Sequence, residues 1–149
     1  MTDEEEPSEF DELIRELEEA IREKEKELYG EKTIEEAFHP KNVGALENPD
    51  GAARITDPQG DTIQIHLKVE EDTITDSKFI TDGRGPTVAC GSVITEMVKG
   101  KSIEEARRIE DKDILSVLGT LPEEHRYSPV LAVNTLRAAL EDYKTKILQ

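Results

Sequence analysis

Cys90 is the only cysteine in this chain, and there is no tryptophan. A lone cysteine cannot form an internal disulfide, and it excludes any CxxC metal site. Aromatic residues make up 4% of the 149 positions, so the core must be built from aliphatic side chains. No apolar run approaches the roughly 18 residues that a membrane-spanning helix needs. The first residues are acidic and lack the basic and then apolar stretches of a secretory signal, so a cytoplasmic protein is expected. Cations are scarce: 19 Lys and Arg stand against 35 Asp and Glu, a formal net charge of −16. Such a surface repels phosphate backbones and anionic headgroups. Neither nucleic acid nor a membrane is an expected partner.

The acidity is unevenly spread. Residues 1–36 carry 16 acidic and 5 basic side chains. Two readings are open, a solvated helix face or a surface for a basic partner. Met1–Ser8 reads as a disordered acidic tail. From Phe10 a helical pattern begins, and residues 9–28 form an amphipathic extension. Phe10, Leu13, Ile14, Leu17 and Ile21 fall on one stripe, with Glu, Arg and Lys elsewhere. That stripe is too narrow for a buried helix. The extension either lies on its own domain or docks on a partner, which includes a second copy of this chain. These five residues are the partner-binding candidates.

Residues 41–51, rich in Gly, Asn and Pro, read as a loop. Ala52–Ile55 is a short strand. Thr62–Glu70 alternates cleanly, with Ile63, Ile65, Leu67 and Val69 on one face and Gln64, His66 and Lys68 on the other. Thr73–Ile80 follows after a tight connection. Three antiparallel strands with one apolar face require helices over that face, and the pattern supplies them near 86–98, 102–109, 111–118 and 129–146. Ser102 with Glu105 reads as a capping box, and Ser128-Pro129 as an N-cap followed by proline. The class is α+β: a three-stranded antiparallel sheet covered by helices on one face, with an extended acidic N-terminal helix.

Several segments carry a family likeness. They are Phe38-His39-Pro40-Lys41-Asn42-Val43-Gly44, then Asn48-Pro49-Asp50-Gly51, Asp57-Pro58-Gln59-Gly60-Asp61, and the run from Asp82-Gly83-Arg84-Gly85-Pro86-Thr87 to Lys99-Gly100-Lys101. Ser102-Ile103-Glu104-Glu105-Ala106, Leu121-Pro122 and Leu131–Tyr143 continue in the same order. Together they resemble the iron–sulfur cluster assembly scaffolds of the IscU/NifU N-terminal family, over about residues 29–147, and place an IscU/NifU-N-like domain at 29–149.

The resemblance implies a set of cluster-ligand positions. The family presents three cysteines, a histidine and an aspartate. Here Gln59, Arg84 and Ser128 stand at the cysteine positions and Tyr127 at that of the histidine; Asp61 is retained. Thiolate is the soft ligand that holds iron–sulfur clusters. Amide, guanidinium and hydroxyl do not replace it, and arginine has no lone pair to give. No cofactor is therefore expected. The chain reads as a binding or structural subunit of an iron–sulfur or redox protein complex, not an enzyme. The alternative is an active assembly factor that handles iron or a cluster transiently, with ligands from Asp61 and His125 or from a partner chain.

Three local expectations accompany this. Arg84 either pairs with Asp61 or points to water. Ser128 caps the last helix. Cys90, within a run of small residues, packs in the core. Leu121-Pro122-Glu123-Glu124-His125 occupies the place of the family's chaperone-recognition motif with its charge reversed, so handover in the family's manner is not expected.

Overall fold

The alternation in Thr62–Glu70 sets the middle of the molecule. In this computed structural model, residues 8–119 and 121–149 are described, without the side chains of 25–29. In chain order the elements are α1 (Glu9–Tyr29), α2 (Glu31–Phe38), β1 (Gly51–Thr56), β2 (Thr62–Glu70), β3 (Thr73–Thr81), α3 (Pro86–Val98), α4 (Ile103–Arg107), α5 (Asp111–Leu118), a 3-10 turn (Glu123–His125) and α6 (Tyr127–Ile147). Apart from Ser8, the expected tail Met1–Ser8 lies outside the described residues. Ser8 is the start of α1, its hydroxyl accepting the Asp11 N–H at 3.1 Å.

The strands form one antiparallel sheet in the order β1-β2-β3. Ile63, Ile65 and Leu67 of β2 are fully buried on the face that α3 and α6 cover. Helix α6 lies along β1 so closely that a Cβ at Gly51 would stand 2.5 Å from the Ala139 carbonyl oxygen. The Asp142 carboxylate on α6 accepts the Ala52 N–H at 2.9 Å, satisfying a donor on the sheet edge. Cys90 is fully buried in the core as expected, and burial pushes its thiol far up from the ordinary value. Such a thiol is inert.

The other face of the sheet is not left to solvent. Residues 42–50 cross it as a strap. At one edge Gly44 donates to the Phe79 carbonyl and Phe79 to the Asn42 carbonyl, both at 2.9 Å; at the other Asp50 donates to Leu67 at 2.8 Å. His66, expected on a polar strand face, is on that face yet only 8% exposed. Its Nδ1 accepts the Leu46 N–H at 3.0 Å. A neutral ring then carries its proton on Nε2, which lies 2.8 Å from the Gln64 amide nitrogen; two donors cannot share that contact, so the tautomer calls for a half-turn of the amide that brings its oxygen there. Burial lowers the basicity of this imidazole.

Helix α1 meets the domain chiefly through α2, with Arg22 over the Phe38 ring at 5.4 Å. Among the described residues, no helix is long and apolar enough to cross a membrane.

Candidate functional site

Four segments meet at one end of the sheet: the β1–β2 turn, the β3–α3 loop, and the first turns of α3 and α6. The turn is shaped by Asp57, whose carboxylate accepts the N–H groups of Gln59 (2.9 Å) and Asp61 (3.0 Å). The loop is tied to β2 by Thr81 and Asp82, which bond the Thr62 carbonyl (2.6 Å) and the Thr62 N–H (2.8 Å). Gly85, at φ 50°, lets the chain enter α3 in the left-handed region, and Pro86 follows inside the first turn.

A chain of hydroxyls links these segments. Thr87 Oγ1 lies 3.2 Å from Asp61 Oδ2 and 3.1 Å from Ser128 Oγ. The ionised carboxylate only accepts, so the single Thr87 proton goes to Asp61. The Ser128 hydroxyl must then donate to Thr87. Thr87 and Ser128 are 1% and 4% exposed. This corrects the expected role of Ser128. The helix starts one residue earlier, at Tyr127, and Ser128 makes no side-chain cap.

The Arg84–Asp61 pair does not form. Arg84 is exposed, and among the described residues no ion pair or hydrogen bond of its side chain is found, whereas Asp61 is met by the neutral Thr87 hydroxyl. A half-buried carboxylate with a hydroxyl donor and water has no need of a guanidinium, which stays hydrated. Gln59 is exposed in the same turn as Asp61. Tyr127 faces elsewhere: it lines a groove of about 480 Å³ with Leu115, Leu121 and Val130, and its hydroxyl accepts from Arg126 at 2.9 Å. Among the described residues no group of three or more His, Cys, Asp or Glu could hold a metal ion.

Sequence reasoning did not single out Thr87, nor a second polar cluster on the far side of α3. Glu36 of α2 is 3% exposed. Its carboxylate accepts from Ser92 Oγ at 2.5 Å, Lys41 Nζ at 3.1 Å and Lys32 Nζ at 3.2 Å. Burial is the largest single effect on this carboxyl and raises it. The Ser92, Lys41 and Lys32 bonds together outweigh burial and hold it below its ordinary value. Ser92 Oγ also accepts the Lys41 N–H at 2.8 Å, so α2, α3 and the start of the strap are locked together.

Comparison with known proteins gives a consistent result. Residues 28–149 match the family model for the NifU-like N-terminal domain. The iron–sulfur cluster assembly scaffold protein IscU of Escherichia coli K12 is 39% identical over 123 residues, covering 79% of this chain and 95% of that protein. IscU of Aquifex aeolicus is 40% identical over 121 residues, covering 79% and 77%. IscU 1 of Archaeoglobus fulgidus is 38% identical over 120 residues, covering 80% and 78%. Among solved structures, a NifU-like N-terminal protein from Brucella abortus superposes with a TM-score of 0.66 at 20% identity, covering 81% of this chain and 97% of that one. A putative scaffold protein for the SUF system from Fervidobacterium islandicum AW-1 gives 0.68, also at 20% identity, covering 77% and 98%.

Proposed function

The chain belongs to the family of the NifU-like N-terminal domain and the IscU scaffolds, and from that premise we propose that it is a cytoplasmic binding subunit of iron–sulfur protein assembly that holds no cluster on its own residues and catalyses no reaction. The observation that carries this reading is the donor set at the end of the sheet. An iron–sulfur cluster is held by thiolates. Gln59, Arg84, Tyr127 and Ser128 offer an amide, a guanidinium, a phenol and a hydroxyl. The Ser128 and Thr87 protons are already committed to the chain that ends on Asp61. Cys90, the sole thiol, is in the core with its proton held on. These residues do not fit a cluster.

What the chain keeps is the family fold, which supports a role exercised through partner proteins. The test is iron, zinc and acid-labile sulfide content after strictly anaerobic purification. Substoichiometric metal without sulfide is the expected result. Near-stoichiometric iron with sulfide would overturn the reading and point to ligands from Asp61, His125 or a partner chain.

A further inference from the structure

We propose that α1 is one half of a two-helix seam whose other half is a basic amphipathic helix of a partner protein. The proposal rests on the reading of the chain as a binding subunit and names the chemistry of what it binds. Phe10, Leu13, Leu17 and Ile21 are about half exposed or more, and Ile14 is 38% exposed. Among the described side chains of α1, those of residues 9–24, none belongs to the buried core cluster.

The spacing is that of a helix pair. Ile14 and Ile21 are seven apart, as are Phe10 and Leu17, and the two series interleave at steps of four and three. This places β-branched Ile at one seam position and Phe or Leu at the other. Such a seam is built to meet one more helix.

Charge selects the occupant. Asp11 and Glu18 border one side of the seam, and over residues 9–24 seven acidic side chains stand against three basic ones. One of the three, Arg22, is turned onto Phe38. A second copy would bring another helix of the same sign, from a chain of net charge −16, against this one. A partner helix with Lys or Arg beside its apolar seam gains an opposite charge at Asp11 and at Glu18.

The test uses the full chain and two synthetic peptides as long as α1, both with Ile and Leu at the seam, one flanked by Lys and one by Glu. Binding is read by fluorescence anisotropy at low and high salt. Sedimentation equilibrium of the chain alone is run alongside. The Lys-flanked peptide is expected to bind, and to bind at least about tenfold more weakly in high salt. It should also bind at least about tenfold more weakly to the variant Ile14→Ser, Leu17→Ser, in which both changed side chains are solvent-accessible and the fold, checked by circular dichroism, is unaffected. The Glu-flanked peptide and a scrambled Lys-rich peptide should not bind. Equal binding of the scrambled peptide, undiminished binding to the variant, or no binding at all would overturn the proposal. So would a dimer of the chain alone that the variant abolishes, which would assign the seam to a second copy. Iron and sulfide in the purified chain would overturn the cluster-free reading and leave the peptide result unchanged. Loss of peptide selectivity would overturn the seam and leave the metal analysis unchanged.

Discussion

Thr87 donates its hydroxyl proton to Asp61 across 3.2 Å, and this bond joins the first turn of α3 to the β1–β2 turn. Because the same oxygen receives the Ser128 proton, Thr87 is the hinge pin of the site. Thr87→Val keeps the shape and removes the pin. Ser128 is then left buried without its acceptor, at a cost of about 1–3 kcal/mol. Thr87→Ser keeps both bonds and loses only a methyl, so the loss should be smaller. Urea denaturation of the three proteins measures the difference. Equal stability of Thr87→Val and the wild type would mean that the hydroxyl chain carries no weight.

Restoring sulfur tests the assignment of the former ligand positions. In Gln59→Cys, Arg84→Cys, Ser128→Cys the first two changes are at exposed positions and the third is nearly isosteric. The thiol at 128 would sit at the N-terminus of α6, which favours its thiolate. With Asp61 in the same turn as residue 59 and linked through Thr87 to residue 128, the triple variant should take up iron and sulfide on anaerobic reconstitution where the parent does not, seen as visible absorption and as metal content. A folded triple variant that stays colourless would show that these positions do not form one site.

The periodic parts of the fold were readable directly. Helix α3 runs from Pro86 to Val98 and β2 from Thr62 to Glu70, the same bounds that apolar spacing and punctuation give. The polar links were not. Ser128-Pro129 has the local look of a cap, yet the partner of Ser128 is Thr87, 41 positions away. Glu36 reads as one more member of an acidic segment until Ser92, 56 positions on, is brought to it. Alternation places His66 on the correct face. Its burial depends on the strap 42–50 folding over that face, and no periodicity announces a strap. Local rules decide elements; hydrogen bonds between elements depend on where the chain returns.

Two buried groups, His66 and Glu36, contribute to the response to acid. His66 is held below its ordinary value near 6.5. As the pH falls through about 6.5 the unfolded chain takes up a proton that the folded chain refuses, so stability declines from there downward. Glu36 is held below 4.5. Its contribution is whole above that pH and is lost as the pH falls toward the folded value, as Ser92, Lys41 and Lys32 lose their anion. Denaturation midpoints should therefore fall in two stages, the first from about pH 6.5 and the second below about pH 4.5. The Leu46 amide resonance should shift with the His66 titration itself, which burial places below the ordinary value, because protonating Nδ1 removes its acceptor. A Leu46 amide that stays fixed while His66 titrates would refute the strap contact.

Gly91 sets helix propensity against packing. In mid-helix, Gly→Ala gains about 1 kcal/mol from propensity alone. A Cβ at Gly91, however, would stand 2.4 Å from Cδ2 and Cε2 of Phe79. The ring cannot easily retreat: Phe79 is 1% exposed, and its backbone N–H and C=O are both bonded to the strap. Overpacking of this kind costs about 1–3 kcal/mol, and here the contact is with a fully enclosed ring, so the upper part of that range applies and packing wins. Gly91→Ala should lower the denaturation midpoint. Adding Phe79→Leu, which clears the ring edge, should make the alanine less harmful than it is alone, a positive coupling in the double-mutant cycle. If Gly91→Ala raises the midpoint instead, the ring has room to shift and α3 is not held against β3 as closely as this contact requires.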